Sequence, residues 1–122
     1  MLEDALHAHL LASTAVTSLA STRIYPVLLP QDPTLPAITY QRISNDPQNT
    51  MGGHGDLYNP RIQIDAWARS YSEIKSLELA IRTAMEAASA FSALEMSDQD
   101  LYEPDMEIYR ISIDFSCWFK ST

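Results

Sequence analysis

From Tyr109 to Phe119 the chain alternates without a break. Tyr109, Ile111, Ile113, Phe115, Cys117 and Phe119 fall on one side of an extended backbone, and Arg110, Ser112, Asp114, Ser116 and Trp118 fall on the other. A helix would scatter the first set around its axis, whereas a strand with one buried face keeps it together. A strand this long needs neighbouring strands and a covering layer, so this segment is expected to be core rather than a dispensable tail. Trp118 sits on the face that ought to be wet, where a large aromatic more often marks contact with another molecule.

Arg61 to Arg69 repeats the pattern, with Ile62, Ile64, Ala66 and Ala68 inward and Arg61, Gln63, Asp65, Trp67 and Arg69 outward. Ser70-Tyr-Ser-Glu73 then matches a capping box, in which serine and glutamate satisfy each other's orphan amides. The helix it opens carries Ile74, Leu77, Ile81, Ala84, Met85 and Ala88 on one stripe and is expected to end near Ser89. Upstream, Leu2, Leu6 and Leu10 form an apolar stripe at helical spacing, so a helix is expected over Leu2 to Leu11. A short second one, about Ala15 to Ala20, can be capped by Ser13 or Thr14. Pro26, Pro30, Pro33 and Pro36 forbid a helix in the next stretch, and Ile24 to Leu29 reads as extended. Ala37 to Ser44 reads as a strand with Ile38 and Tyr40 on one face and Thr39 and Gln41 on the other.

Asn45 to Asn59 reads as a long irregular segment. It holds all three glycines, Gly52, Gly53 and Gly55, and Pro47, with little that could pack. Loops of this length tend to be functional, and this one is expected to be ordered by a neighbouring molecule. Phe91 to Met96 is a strand candidate, and Asp98 to Asp105 reads as an acidic turn containing Pro104. The order of elements predicts an α+β fold: a single antiparallel sheet packed on one face by two main helices, with a long protruding loop or hairpin. No internal repeat or linker divides the 122 residues, so residues 1–122 are read as one domain.

Charge and composition exclude several functions. The net charge of −8, with eight scattered basic residues, argues against a surface built to grip nucleic acid. A wall past which DNA must slide without sticking would also be acidic. No apolar run approaches membrane-spanning length, and Met1-Leu-Glu-Asp lacks the basic start of a secretory signal, so synthesis in the cytoplasm is expected. The single cysteine, Cys117, rules out an internal disulfide and reads as a small core hydrophobe.

A search for chemistry returns little, and no cofactor is called for. His7 and His9 point to different faces of their helix and cannot share a metal there. His54 is isolated. Gly52-Gly-His-Gly55 looks like a phosphate-cradling loop, but a strand rather than a helix follows it. Asp98, Asp100, Glu103, Asp105 and Glu107 fail the spacing of a calcium loop and lack its glycine. They read as a solvated turn, or as a contact surface for basic side chains of a neighbour. Trp67 and Trp118 occupy outward strand positions. Each either covers an edge or packs beneath a loop, or else the sheet's outer face meets another subunit.

Taken in order, several segments resemble the small tail-completion proteins of long-tailed bacteriophages, the tail-to-head joining or tail-terminator group. They are Arg23-Ile-Tyr-Pro after an N-terminal helix, Leu29-Pro-Gln, Leu35-Pro-Ala-Ile-Thr-Tyr-Gln-Arg-Ile43 and Arg61-Ile-Gln-Ile-Asp65. Ser70-Tyr-Ser-Glu-Ile74, Asp100-Leu-Tyr-Glu-Pro-Asp105 and Tyr109-Arg-Ile-Ser-Ile-Asp-Phe115 complete the set. The resemblance implies a structural, non-enzymatic protein that assembles as a ring, typically of six copies, capping the tail tube and joining it to the neck. It implies as partners further copies of the chain, the tail tube protein and the connector or stopper protein. DNA would be in transit through the hole without specific binding, no membrane would be involved, and the site of assembly would be the host cytoplasm. Interface candidates from the residue reading are Trp67 and Trp118, the segment Gly52, Gly53, His54 and Gly55, and the acids Asp98, Asp100, Glu103 and Asp105. Three other readings stay open: a neighbouring ring component of the neck, a small α+β ligand-binding or regulatory domain, and an enzyme without a recognisable motif. A deep pocket with converging polar groups would favour the ligand-binding class, and a flat sheet face the ring.

Overall fold

A computed structural model describes residues 2–31, 33–50, 53–88, 91–104 and 107–120, and for 44–58 and 119–120 the backbone alone. The chain runs α1 (Leu2–Ala12), α2 (Thr14–Ala20), β1 (Ile24–Pro26), β2 (Ala37–Thr50), β3 (Gly53–Ala68), α3 (Tyr71–Glu86), β4 (Ser92–Glu103) and β5 (Ile108–Lys120). The strands form one sheet in the order β1-β2-β3-β5-β4, and the helices pack on it, which is the expected α+β architecture.

The core follows from the two periodicities. Ile62, Ile64, Ala66 and Ala68 on β3 and Ile111, Ile113, Phe115 and Cys117 on β5 are buried on one face, joined by Ile38 and Tyr40 of β2. Against them lie Leu2, Leu6 and Leu10 of α1, Val16 and Ala20 of α2, and Ile74, Leu77, Ile81, Ala84 and Met85 of α3. Burying each large aliphatic side chain contributes about 1.5–3 kcal/mol. Register holds the alternation in phase across strands: Ile62 is opposite Phe115, Ile64 opposite Ile113 and Ala66 opposite Ile111. A one-residue slip would turn every one of these side chains to the other face.

Caps set the helix starts. Ser70 Oγ accepts from the Glu73 amide at 3.2 Å and Ser13 Oγ from the Val16 amide at 3.4 Å. The third helix stops at Glu86, with Ala87 as its C-cap, short of the expected end near Ser89.

Three further expectations change. Most of the sheet is antiparallel, but β1 pairs with β2 in parallel. Its ten-residue return contains three of the chain's seven prolines, Pro30, Pro33 and Pro36, and is held by Arg23 Nε, which donates to the Pro36 carbonyl at 2.9 Å. The segment 45–59, read as irregular, is instead strand on both sides. β2 and β3 pair onward to Asn49–His54 and Thr50–Gly53, with register shifts at Arg42/Ser44 and Pro47/Asn49. Asn, Asp, Pro and Gly are poor strand formers, but main-chain pairing between the two strands is indifferent to side chain and carries the hairpin past the core. The acidic segment is not a turn: Asp98, Asp100 and Glu103 lie on β4, paired with Ile113, Ile111 and Ile108 of β5. The turn falls later, after Glu103, with Glu107 at a φ of 55°.

Candidate assembly surfaces

The helices cover one face of the sheet, and the side chains of the opposite face form their own polar layer. Trp67 is half-buried there. Its Nε1 donates to Thr39 Oγ1 at 3.0 Å, and the Arg110 guanidinium lies over its ring, 4.9 Å from the centroid. Arg110 Nη2 donates to Asp65 Oδ2 at 2.8 Å and its Nη1 to Glu103 Oε1 at 3.4 Å. Gln63 Nε2 donates to both oxygens of Asp65, at 3.0 and 3.2 Å. One arginine thus ties β3, β5 and β4 together over a tryptophan face, an arrangement suited to the planar, weakly hydrated guanidinium and not to an ammonium. The cluster buries Thr39 and Asp65 on a face that no helix covers. Sequence reasoning placed Asp65, Trp67 and Arg110 on the outward face but did not join them. The usable signal was parity: positions 63, 65 and 67 share a face, and Arg110 sits opposite Trp67 in the register.

Trp118 lies on the same face, nearer the sheet's edge, opposite Ser92 of β4. It is 39% exposed. The diagonal neighbour on β4 is Leu94, 64% exposed, and together they make an apolar patch where the polar cluster ends.

Three of the acids on β4, Glu95, Asp98 and Asp100, face the helix side and are engaged by α3, whereas Glu103 lies on the outer face with Arg110. Arg82 pairs with Glu95 at 2.8 Å and with Asp98, and Lys75 lies 3.2 Å from Asp100. Tyr71 donates its hydroxyl to Asp100 at 3.1 Å. The Lys75 ammonium is held above its ordinary range by its hydrogen bond with Tyr71 and then by Asp100 and Glu78. These pairs are exposed and individually worth little; their effect is to dock the edge strand onto the helix. Tyr109 meets Tyr71 edge to face and Tyr102 at a tilt nearby, with centroids 6.0 and 5.0 Å apart. With Ile74, Asp100 and Leu101 they line an open depression of about 210 Å³.

Cys117 is buried on the core face, and burial pushes its thiol up to about 12. Gly53, His54 and Gly55 lie on β3, in the half of the hairpin beyond the last β3–β5 pair, Leu57 with Lys120. Gly52 and Asp105 lie outside the described residues. No group of three or more His, Cys, Asp or Glu side chains suited to a metal ion occurs among the described residues, and none of their helices is long and apolar enough to cross a membrane.

The fold and these surfaces define a small α+β fold with one sheet face given to its core, a second left uncovered by helices and a hairpin reaching beyond both. The family described as Tail completion protein gp17 matches residues 4–120, and the chain belongs to that family. It is therefore a structural protein of the phage tail. No curated protein matches the chain. A chain in the solved virion of a native gene transfer agent particle shares the fold, with a TM-score of 0.75 at 16% identity. The likeness covers 98% of this chain and 95% of that one.

Proposed function

We propose that the protein assembles as a ring of six copies that caps the finished tail tube and joins the tail to the neck, with DNA passing through the central hole. The observation that carries this reading is the family match over nearly the whole chain. Each ring subunit must present two different, complementary surfaces. The outer sheet face with Trp67 and Trp118, the hairpin with Gly52, Gly53, His54 and Gly55, and the acids Asp98, Asp100, Glu103 and Asp105 are the contacts this reading uses. Its partners are further copies, the tail tube protein and the connector or stopper protein. The role is non-enzymatic, is carried by a single domain and needs no cofactor. A net charge of −8 suits a passage that DNA must traverse without being held, because phosphate binding depends on clustered Lys and Arg. Assembly takes place in the host cytoplasm, and the protein ends in the tail or neck of the virion.

Particles made without the protein are expected to show tails of uncontrolled length, or tails detached from full heads. Normal joined tails in a clean deletion would overturn the reading. Native mass spectrometry across a concentration series should resolve a hexamer.

A further inference from the structure

The two edges of the sheet are finished differently. At one side β1 is only three residues long and ends at Pro26, which has no amide to donate. Val27 follows at a φ of 67°, a conformation that β-branched residues rarely adopt. Its amide donates to the Tyr40 carbonyl at 2.8 Å, after which the chain leaves the sheet. Beyond Tyr40 the outer edge of β2 therefore has no partner strand among the described residues. At the other side β4 is an edge strand of twelve residues, exposed along nearly all its length. Edge strands are ordinarily blunted by lysine, proline or brevity. This one has neither lysine nor proline, and instead exposes Leu94 and, at its bulge, Met96.

Charge selects the partner. On the helix side of β4 four carboxylates (Glu78, Glu95, Asp98 and Asp100) share two cations, Lys75 and Arg82, and on the other face Asp65 and Glu103 share Arg110. Two such edges placed together would repel. The open part of β2 begins at Arg42, whose side chain is half exposed and reaches Glu3 only at 3.8 Å. Arg42 is opposite Ile62 and so lies on the helix side of the sheet. Glu95, Asp98 and Asp100, opposite Phe115, Ile113 and Ile111, lie on that side too. Within the sheet β2 and β4 run in opposite senses. A second copy displaced sideways thus presents its β2 antiparallel to the first copy's β4, with cation and carboxylates on matching faces.

We propose that copies of this chain join edge to edge, β4 of one pairing antiparallel with the projecting half of β2 of the next. The contact is head to tail, the type that closes into a ring when the rotation permits, and each added strand satisfies main-chain groups that a free edge leaves to water. This rests on the ring reading above and specifies how the ring is joined.

The test uses the full chain over a concentration series in which sedimentation follows assembly. Leu94→Lys with Met96→Lys alters only exposed side chains of β4, and should raise the concentration for half-assembly at least tenfold with melting unchanged. Arg42→Glu should do the same from the other edge. Mixing Ser97→Cys protein with Ser44→Cys, Asn45→Cys or Asn49→Cys protein under oxidation should give a linked dimer in at least one pairing, and neither component alone should. Rings that form normally in the lysine variant, or that link in no pairing, overturn the edge-to-edge contact while the ring reading stands. A wild-type chain that stays monomeric throughout overturns both.

Discussion

Phe115 and Trp118 are three residues apart on β5 but face opposite sides of the sheet, so truncating each should fail in a different way. Phe115 is 3% exposed and sits in the core opposite Ile62. Removing a buried phenylalanine ring costs about 3–5 kcal/mol, part from lost transfer energy and part from the cavity left behind. An unfolding entropy of about 2.1 cal/mol/K per residue over 122 residues makes 1 kcal/mol worth about 4 °C. Phe115→Ala should therefore lower Tm by about 12–20 °C. Trp118 is already partly wet, and its neighbours across β4 are Ser92 and Leu94, so Trp118→Ala should cost the monomer less than about 1 kcal/mol, or under about 4 °C. In an assembly the order reverses. Losing a central aromatic anchor costs about 2 kcal/mol or more of association energy, a weakening of about 30-fold. Tm by calorimetry and ring fraction by sedimentation, measured on both variants, separate the two roles. If Trp118→Ala melts as low as Phe115→Ala, the division of β5 into a core face and a contact face is wrong.

Other outcomes follow from the same geometry. Burial lifts the Cys117 thiol to about 12 while an unfolded cysteine ionises near pH 8.5, so between these values the unfolded state holds fewer protons than the folded one. Stability should therefore fall as pH rises from about 9 toward 12, and Cys117→Ala should flatten that part of the pH–Tm curve; an unchanged slope would refute the assignment. At pH 8 the native thiol should resist alkylation and react only on unfolding. Arg110→Leu strips the buried Asp65 carboxylate of its cation and should cost about 1–3 kcal/mol in denaturant melts, with much of the loss recovered by adding Asp65→Asn; a simple sum of the two single effects would refute the coupling. Amide exchange should be faster beyond Leu57, where the hairpin is only two strands, than between Arg61 and Ala68, where β3 has a partner on both sides. Equal protection along β3 would contradict this.

The elements legible in the sequence are those in which local pattern and burial agree. β3 and β5 keep apolar residues on one parity because a helix layer covers one face and none covers the other. The third helix announces its start through Ser70 because a cap is a local contact. The hairpin was illegible for the opposite reason. It is held by main-chain pairing, which leaves no trace in side-chain type, and Asn, Asp, Pro and Gly argued against strand at every step. β1 escaped assignment as a parallel neighbour of β2 because its ten-residue return is much shorter than a usual crossover.

β4 was illegible for a third reason, which lies in how the strand is anchored. Its acids looked like a solvated turn since no apolar alternation marks either face. In the structure Glu95, Asp98 and Asp100 replace that apolar face: they meet Arg82 and Lys75, from 13 to 25 residues earlier in the chain, and moor the strand to α3 by charge. A strand anchored by hydrophobic burial would need apolar residues on its helix side, and those exposed at an open edge would invite indiscriminate pairing. Anchoring it by ion pairs keeps the edge polar and leaves a surplus of carboxylates that, in the proposed contact, would favour the edge bearing Arg42 over a second copy of itself. The same substitution of charge for hydrophobicity that concealed β4 in the sequence would therefore give it the selectivity that the proposed ring contact requires.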